Sequence, residues 1–453
     1  MEDRTTLNDL PAELLLEILS HTGLKTKELW RFFGISKVVY AKVSRLAYRK
    51  ELRSIYEEAK FSSLPSDQTC ERFRSFLRTA VRRPDLAGMV KMVSIAQGWR
   101  RDNRGLNECT KTGRRKGDDK YFLDAGRSIG FHRDSINYKG PTDNRSTCNV
   151  RAWRAFSWSI QCHDLSAEII LMLAHLPNLE EFTIDIQTAS SNLAWDRLLT
   201  SSTHSFTALK KLVLYGDPLQ SNNTAHGARD LSFLLSLPSL TYLHICNMDW
   251  TTDTLLPTQV GRLSNIKKII LEECYMSSAT FANLADKLHS LEVFGFSAPK
   301  SARKQTDLNT LIFSHFLHNH RNTLKELAIE FGLLLSSRKI QQALGPLTSF
   351  TYLHTLTIEH EGLMGPYNIN DNTLMSLNME DFLPSSIQHL KVWKPVVGEF
   401  YSHMHRFAAA CSRERDRFPA LRTVEVRTDT GQIPNSLRDE FRSIGVDIVV
   451  KAL

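Results

Sequence analysis

Between Leu176 and Val426 one arrangement of apolar positions recurs, at i, i+3, i+6 and i+8, with polar residues between them. It appears as Leu176-Leu179-Phe182-Ile184, Phe206-Leu209-Leu212-Leu214, Leu237-Leu240-Leu243-Ile245 and Leu263-Ile266-Ile269-Leu271. It continues as Leu288-Leu291-Phe294-Phe296, Phe350-Leu353-Leu356-Ile358 and Phe418-Leu421-Val424-Val426. Partial copies, Leu324-Leu327-Ile329 and Ile387-Leu390-Val392, fill the gaps. The last two positions of each copy are two residues apart, so their side chains share one face of a strand and the intervening polar residues face outward. A shared spacing with different residues between is what stacked units need. It predicts a solenoid, an architecture used for binding rather than catalysis.

The intervals between copies predict helices over His226–Leu235, Ala279–Leu288, Leu308–His318, Asp371–Phe382 and His403–Cys411. A helix over Asn435–Phe441 and a closing strand over Val446–Val450 complete the series. The unit from Leu263 reads Ile266-x-x-Ile269-x-Leu271-x-x-Cys274-x-Met276, the spacing of a leucine-rich repeat. Other units carry Gln187, Asp217, Met248 or Glu361 where Cys274 stands, so the internal ladder is irregular.

Upstream the pattern changes. Residues 5–55 read as three consecutive helices: Asn8 or Asp9 can cap the first, Pro11 lies where a missing N–H is harmless, and Leu14, Leu15, Ile18 and Leu19 follow at helical spacing. Residues 56–97 read as a helical connector (Cys70–Val81) and a first, imperfect repeat strand near Val93 and Ile95. Residues 98–150 read as a basic polar insert loop, and residues 151–453 as the array, opened by a helix over Asp164–His175. The fold class expected is α/β, an all-α module of three helices followed by an irregular solenoid of about ten units.

Composition narrows the functional classes. An apolar fraction of 42% and a charged fraction of 23% over 453 residues describe a globular chain. The longest apolar run, Ile169–Ala174, is too short to span a bilayer, and the acidic start at Glu2 and Asp3 is not a secretory signal. Seven scattered cysteines without a C-x-x-C pair fit a reducing compartment. A cytoplasmic or nuclear protein that engages no membrane is expected. Of the net charge of +8, half lies between Arg100 and Lys120, where eight basic residues face four acidic ones. Arg114-Arg115-Lys116 lacks interleaved aromatics and is offset by Asp118-Asp119, so a solvated loop is expected and nucleic acid is not expected as a partner.

Candidate chemistry is sparse. His318 with His320, and His403 and His405 with Cys411, lack a second ligand pair, so helix-surface histidines and no metal are expected. Cys246 and Cys274 at strand ends read as buried packing. No phosphate-binding loop, dinucleotide fingerprint, H-E-x-x-H or nucleophile elbow occurs, so neither a catalytic residue nor a cofactor is expected, and the chain reads as a non-enzyme. Binding would fall to outward strand residues: Tyr215, His244, Lys268, His360 and Trp393 foremost, with Glu181, Thr183, Lys211, Glu272, Glu326 and Arg427 beside them. Trp393 would be an exposed aromatic anchor.

Leu10-Pro11-x-Glu13-Leu14-Leu15-x-x-Ile18-Leu19, then Leu24, Glu28-Leu29 and Ile35-Ser36-Lys37, resembles an F-box. With the array behind it the chain is similar to the F-box/leucine-rich-repeat proteins of the fungal type. The helical module covers about a tenth of the chain and the array most of the rest. The sequence departs from the family in having Val39 where an aromatic is usual and no proline in the Thr22-Gly23-Leu24 loop. The resemblance implies a three-helix F-box that docks on a Skp-type adaptor, and through it a cullin, with Leu10, Pro11, Leu14, Ile18, Leu19, Leu29 and Ile35 at the motif's apolar positions. It implies a substrate-recognition subunit of a ubiquitin ligase that holds a protein client for ubiquitin-dependent degradation. The alternative is a leucine-rich scaffold outside any ligase, whose N-terminal helices only cap the array.

Overall fold

The structure, a computed structural model, describes residues 58–61, 67–95, 115–131, 145–162, 165–185, 206–216, 235, 237–250, 265–299, 308, 310–332, 343–365, 378–393, 397–414, 416–428 and 431–452. The expected F-box, with Leu10, Pro11, Leu14, Ile18, Leu19, Leu29 and Ile35, lies outside them. The chain divides into two compact units, residues 1–209 and 210–453. Among the described residues no helix is long and apolar enough to cross a membrane.

In the first unit three parallel strands, β1 (Glu58–Phe61), β2 (Met92–Ile95) and β3 (Glu181–Asp185), pair in chain order. The strand at Val93 and Ile95 is therefore not the first: four residues at Glu58–Phe61 precede it and pair with it. Helices Asp67–Arg82 and Pro84–Ala87 join β1 to β2, and helices Asp118–Ser128, Arg145–Gln161 and Leu165–Leu173 join β2 to β3.

Two of those helices occupy part of the span expected as a polar loop. Phe122, Ala125 and Ile129 recur at helical spacing and are buried, and Asp118 and Asp119 favour the N-terminus electrostatically. The carboxylate of Asp118 is itself buried, accepting from Arg78 Nη1 at 2.8 Å and from the Arg115 N–H at 2.8 Å. One turn back on the same helix, Arg74 Nε donates to both oxygens of Glu168 at 3.0 and 3.2 Å, with both side chains buried. Helix Leu165–Leu173, which carries Glu168, is buried from Ser166 to Leu173, as an all-round apolar helix must be.

The second unit is the regular one. Its parallel strands β4 (Lys211–Tyr215), β5 (Tyr242–Cys246), β7 (Lys268–Glu272), β9 (Val293–Ser297), β10 (Glu326–Glu330), β11 (Thr355–Glu359), β12 (His389–Trp393), β13 (Thr423–Thr428) and β14 (Asp447–Ala452) follow one another in a constant register. Short strands β6 (Asp249–Trp250) and β8 (Tyr275–Met276) form a second parallel pair. The i+6 and i+8 residues from Leu212 and Leu214 through Val424 and Val426 are buried, each such side chain contributing about 1.5–3 kcal/mol.

Each part of the apolar spacing has a physical cause. The first two positions close a turn: the N–H of Leu209 donates to Phe206 O, Leu240 to Leu237 O, and Leu421 to Phe418 O. The next residue, at i+4, forms a backbone seam. Its carbonyl accepts from two N–H groups of the following unit, as Lys210 O does from Thr241 and Tyr242, and Thr241 O from Lys267 and Lys268. The seam runs on through Lys267, Glu292, Lys325, His354 and Gln388 to Arg422. Along it Glu292 sits between Lys267 at 2.8 Å and Lys325 at 2.7 Å.

Behind the strands lie helices Ser278–Lys287, Thr310–Asn319, Val397–Arg413 and Asn435–Ser443, matching four expected helices with shifted ends. Helix Leu165–Leu173 and strand β14 likewise fall where the sequence places a helix and a closing strand. Ser277 caps Ser278–Lys287 by accepting from the Thr280 N–H at 3.1 Å. Phe281 packs against Phe294, Phe296, Phe313 and Phe316, with ring centroids 4.6–6.4 Å apart, filling the space between helix and strands. Of the helix expected over Asp371–Phe382, the described part, from residue 378, carries a single tight turn at Met379–Asp381. The helix expected over His226–Leu235 lies outside the described residues except for Leu235.

Candidate functional site on the outer strand face

Constant register turns the outward side chains into three rows, at i+5, i+7 and i+9. On β5 these are Tyr242, His244 and Cys246. Their partners are Lys211, Val213 and Tyr215 on β4, and Lys268, Ile270 and Glu272 on β7. Five of the expected outward residues, Lys211, Tyr215, His244, Lys268 and Glu272, are thus brought to adjacent strands, with Tyr242 and Cys246 at their centre.

At one end of this patch the ammonium groups of Lys211 and Lys268 lie 5.4 and 5.3 Å from the centroid of the Tyr242 ring, one from each neighbouring strand. An aromatic face between two cations is a cation–π arrangement that holds both lysines in place. At the other end three polar atoms converge. His244 Nε2 lies 3.1 Å from Glu272 Oε2 and 3.1 Å from Cys246 Sγ, and Cys246 Sγ lies 3.6 Å from Glu272 Oε2.

Burial and the neighbouring charges set the protonation of this cluster. Burial lowers the pKa of His244 despite the opposing pull of Glu272, so the imidazole is neutral at pH 7. Burial and the negative charge of Glu272 push the Cys246 thiol well above its ordinary range. A thiol held protonated is a poor nucleophile, which disfavours covalent chemistry at Cys246. The Tyr215 phenol is raised by burial and by Cys246 and Glu272 beside it. Cys274 turns inward, its thiol donating to Ile245 O at 3.4 Å, and burial pushes it up to about 12.

A second group occupies β12 to β14. Arg427 Nε donates to Glu425 Oε1 at 2.7 Å and Lys451 Nζ to Glu425 Oε2 at 2.9 Å. Burial works to raise the Glu425 carboxyl, but those two hydrogen bonds and charges together hold it below its usual range. The Arg427 guanidinium lies 4.9 Å from the Trp393 ring centroid. Trp393 is therefore not the exposed anchor expected of it: the ring is half-buried, its flat face against a cation, and its Nε1 is enclosed without a hydrogen-bond partner among the described residues.

His360 is a correction. It directly follows β11, where an outward residue was expected, but it opens helix His360–Met364 and is 3% exposed. Its ring packs edge-on to Phe400 at 5.3 Å, with Nε2 3.1 Å from Nδ1 of His403. Glu359, the last residue of β11, is buried too, its carboxylate accepting from the N–H groups of Phe331 and Gly332 at 2.6 and 2.9 Å. His403 and His320, expected on helix surfaces, are buried as well, whereas His318 is exposed beside Arg321 and His405 pairs with Glu440 at 2.8 Å.

What sequence reasoning missed is the meeting of His244 and Cys246 with Glu272. The signal was present: once the repeats are aligned, Glu272 falls at the same i+9 position as Cys246, two places along from the row of His244. No protein-family model and no curated protein matches the chain.

Proposed function

We propose that the chain is the substrate-recognition subunit of a Skp–cullin–F-box ubiquitin ligase. In this reading the second unit is a leucine-rich-repeat solenoid and holds a protein client on its outward rows. The observation that carries the binding half is the constant strand register, which sets Lys211, Tyr242, Lys268, His244 and Glu272 side by side on a rigid face. A site on strands loses little entropy when a partner docks. The Tyr242 ring between two lysines suits an acidic and apolar segment of a client.

The ligase half rests on the F-box-like residues from Leu10 to Ile35. Leu14 and Ile18 would belong to an apolar ridge that a three-helix module cannot bury alone and that an adaptor would cover. The chain itself would break no bond. It would raise the local concentration of a client near the ubiquitin-charged enzyme, in the cytoplasm or nucleus, and proximity alone can supply a large acceleration.

The test is co-purification of the full chain with a Skp-type adaptor. Leu14→Asp combined with Ile18→Asp abolishes capture if the reading holds. Capture that survives both changes, or absence of adaptor with the unaltered chain, rejects the ligase and leaves the scaffold reading.

A further inference from the structure

Among the described residues, the trio on β5 and β7 is the group of His, Cys and acidic side chains whose donor atoms converge closely enough to hold one metal ion. His244 Nε2, Cys246 Sγ and Glu272 Oε2 all lie within 4.8 Å of one another, each from a strand residue whose backbone is fixed by the ladder. We propose that these three side chains bind one zinc ion, with the fourth coordination position open to water on the outward strand face.

The argument is geometric. Zinc takes nitrogen at about 2.0–2.1 Å, carboxylate oxygen at about 2.0–2.2 Å and thiolate sulfur at about 2.3 Å in a tetrahedral arrangement. Tetrahedral angles with those lengths put the donors about 3.4 Å apart for N and O, and about 3.6 Å apart for N and S and for O and S. The corresponding separations here are 3.1, 3.1 and 3.6 Å. The triangle has to open by a few tenths of an ångström along its two histidine edges and nowhere else. Both short edges meet at His244, so a small shift of its ring, 19% exposed, away from the other two donors opens them together, while Cys246, 3% exposed, stays in place.

Donor type selects the ion. Imidazole, thiolate and carboxylate together suit zinc, whereas calcium and magnesium require oxygen ligands. Charge also balances. A thiolate and a carboxylate neutralise a divalent ion, the thiol proton leaving to solvent as the metal arrives. That neutrality makes the neighbouring Lys211 and Lys268 tolerable, since both ammonium groups are occupied over the Tyr242 ring, one row along the strands from the trio. The site stands on these residues alone and is independent of the ligase reading.

The experiment uses the full chain, stripped of metal and titrated with zinc against a competing chromophoric chelator, then with cobalt as a spectroscopic stand-in. The expected result is one zinc per chain, weakened at least tenfold by His244→Gln and by Glu272→Gln and left unchanged by the control His318→Gln. The cobalt form should show a sulfur-to-metal charge-transfer band that Cys246→Ser removes. A zinc affinity indifferent to His244→Gln and Glu272→Gln, or a cobalt spectrum of the unaltered chain without that band, overturns the proposal. The second readout needs no variant, so a substitution that fails to fold does not shelter the idea.

Discussion

The two units share parallel strands but hold the polar groups of their interiors by different means. The first buries charge in pairs: Arg74 with Glu168 and Arg78 with Asp118 fasten three helices that share no repeating contact. The second buries His320, His360 and His403 beside other rings and the Glu359 carboxylate against main-chain N–H groups. It keeps its paired Glu425 at the strand face with half-exposed partners, and takes its order from a backbone seam repeated at every unit. Where geometry repeats, main-chain hydrogen bonds set the register and side chains need only fill space. Where it does not, each helix needs its own directional tie, and a buried ion pair supplies one at a cost in desolvation.

The largest expected effect breaks such a tie. Glu168→Ala leaves Arg74 charged and enclosed, and should cost about 3–5 kcal/mol in urea unfolding. Asp85→Ala, which cuts the exposed pair with Arg83, should cost under about 1 kcal/mol. Similar costs for the two would erase the contrast.

Acid should single out the second unit. Burial lowers the pKa of His320 to about 4 and that of His360 to about 3, the latter with a further push from His403, against 6.5 when unfolded. The unfolded chain therefore binds more protons between those values. The stability is full above pH 6.5 and is lost as the pH falls toward the folded pKa values. Between pH 7 and pH 5 each histidine should remove about 2 kcal/mol. Hydrogen exchange corrected for intrinsic rates should show the loss in peptides of residues 310–414, and His320→Leu should flatten part of it. None of the buried polar residues described in the first unit is a histidine, so its peptides are the internal control.

Within the second unit, a methyl group at Gly216 would lie 2.5 Å from the Asn247 carbonyl oxygen and 3.0 Å from Met248 Cα, where the backbone cannot yield. Gly216→Ala should cost about 1–3 kcal/mol. At Gly295 the nearest atom is the flexible tip of Ile270, 2.8 Å away, and Gly295→Ala should cost less than Gly216→Ala in the same unfolding assay. Smallest is Arg427→Ala, which removes the cover of Trp393 and one of the bonds to Glu425, for about 0.5–1 kcal/mol at pH 7.

The regular unit was legible because its spacing is a direct record of contacts: Leu237 and Leu240 span a turn, Leu243 and Ile245 share a strand face. The ties of the first unit were not legible. Arg74, Arg78, Asp118 and Glu168 are residue types that usually face water, and nothing local marks a partner 40 or 94 positions away. The patch was half legible. Tyr215, His244, Lys268 and Glu272 follow from strand alternation, but their grouping needs the register between units. His360 misled because alternation stops where a strand becomes a helix, and Trp393 because its cover, Arg427, sits on the next strand.

The seam carries a consequence for how this chain can change over generations. Its ladder of hydrogen bonds runs between main-chain atoms, so the row Lys210, Thr241, Lys267, Glu292, Lys325, His354, Gln388 and Arg422 already holds six kinds of polar residue at eight positions around one repeated geometry. Selection is free to rewrite that edge for new partners without disturbing the scaffold. Proline alone is barred, because it brings no N–H to give.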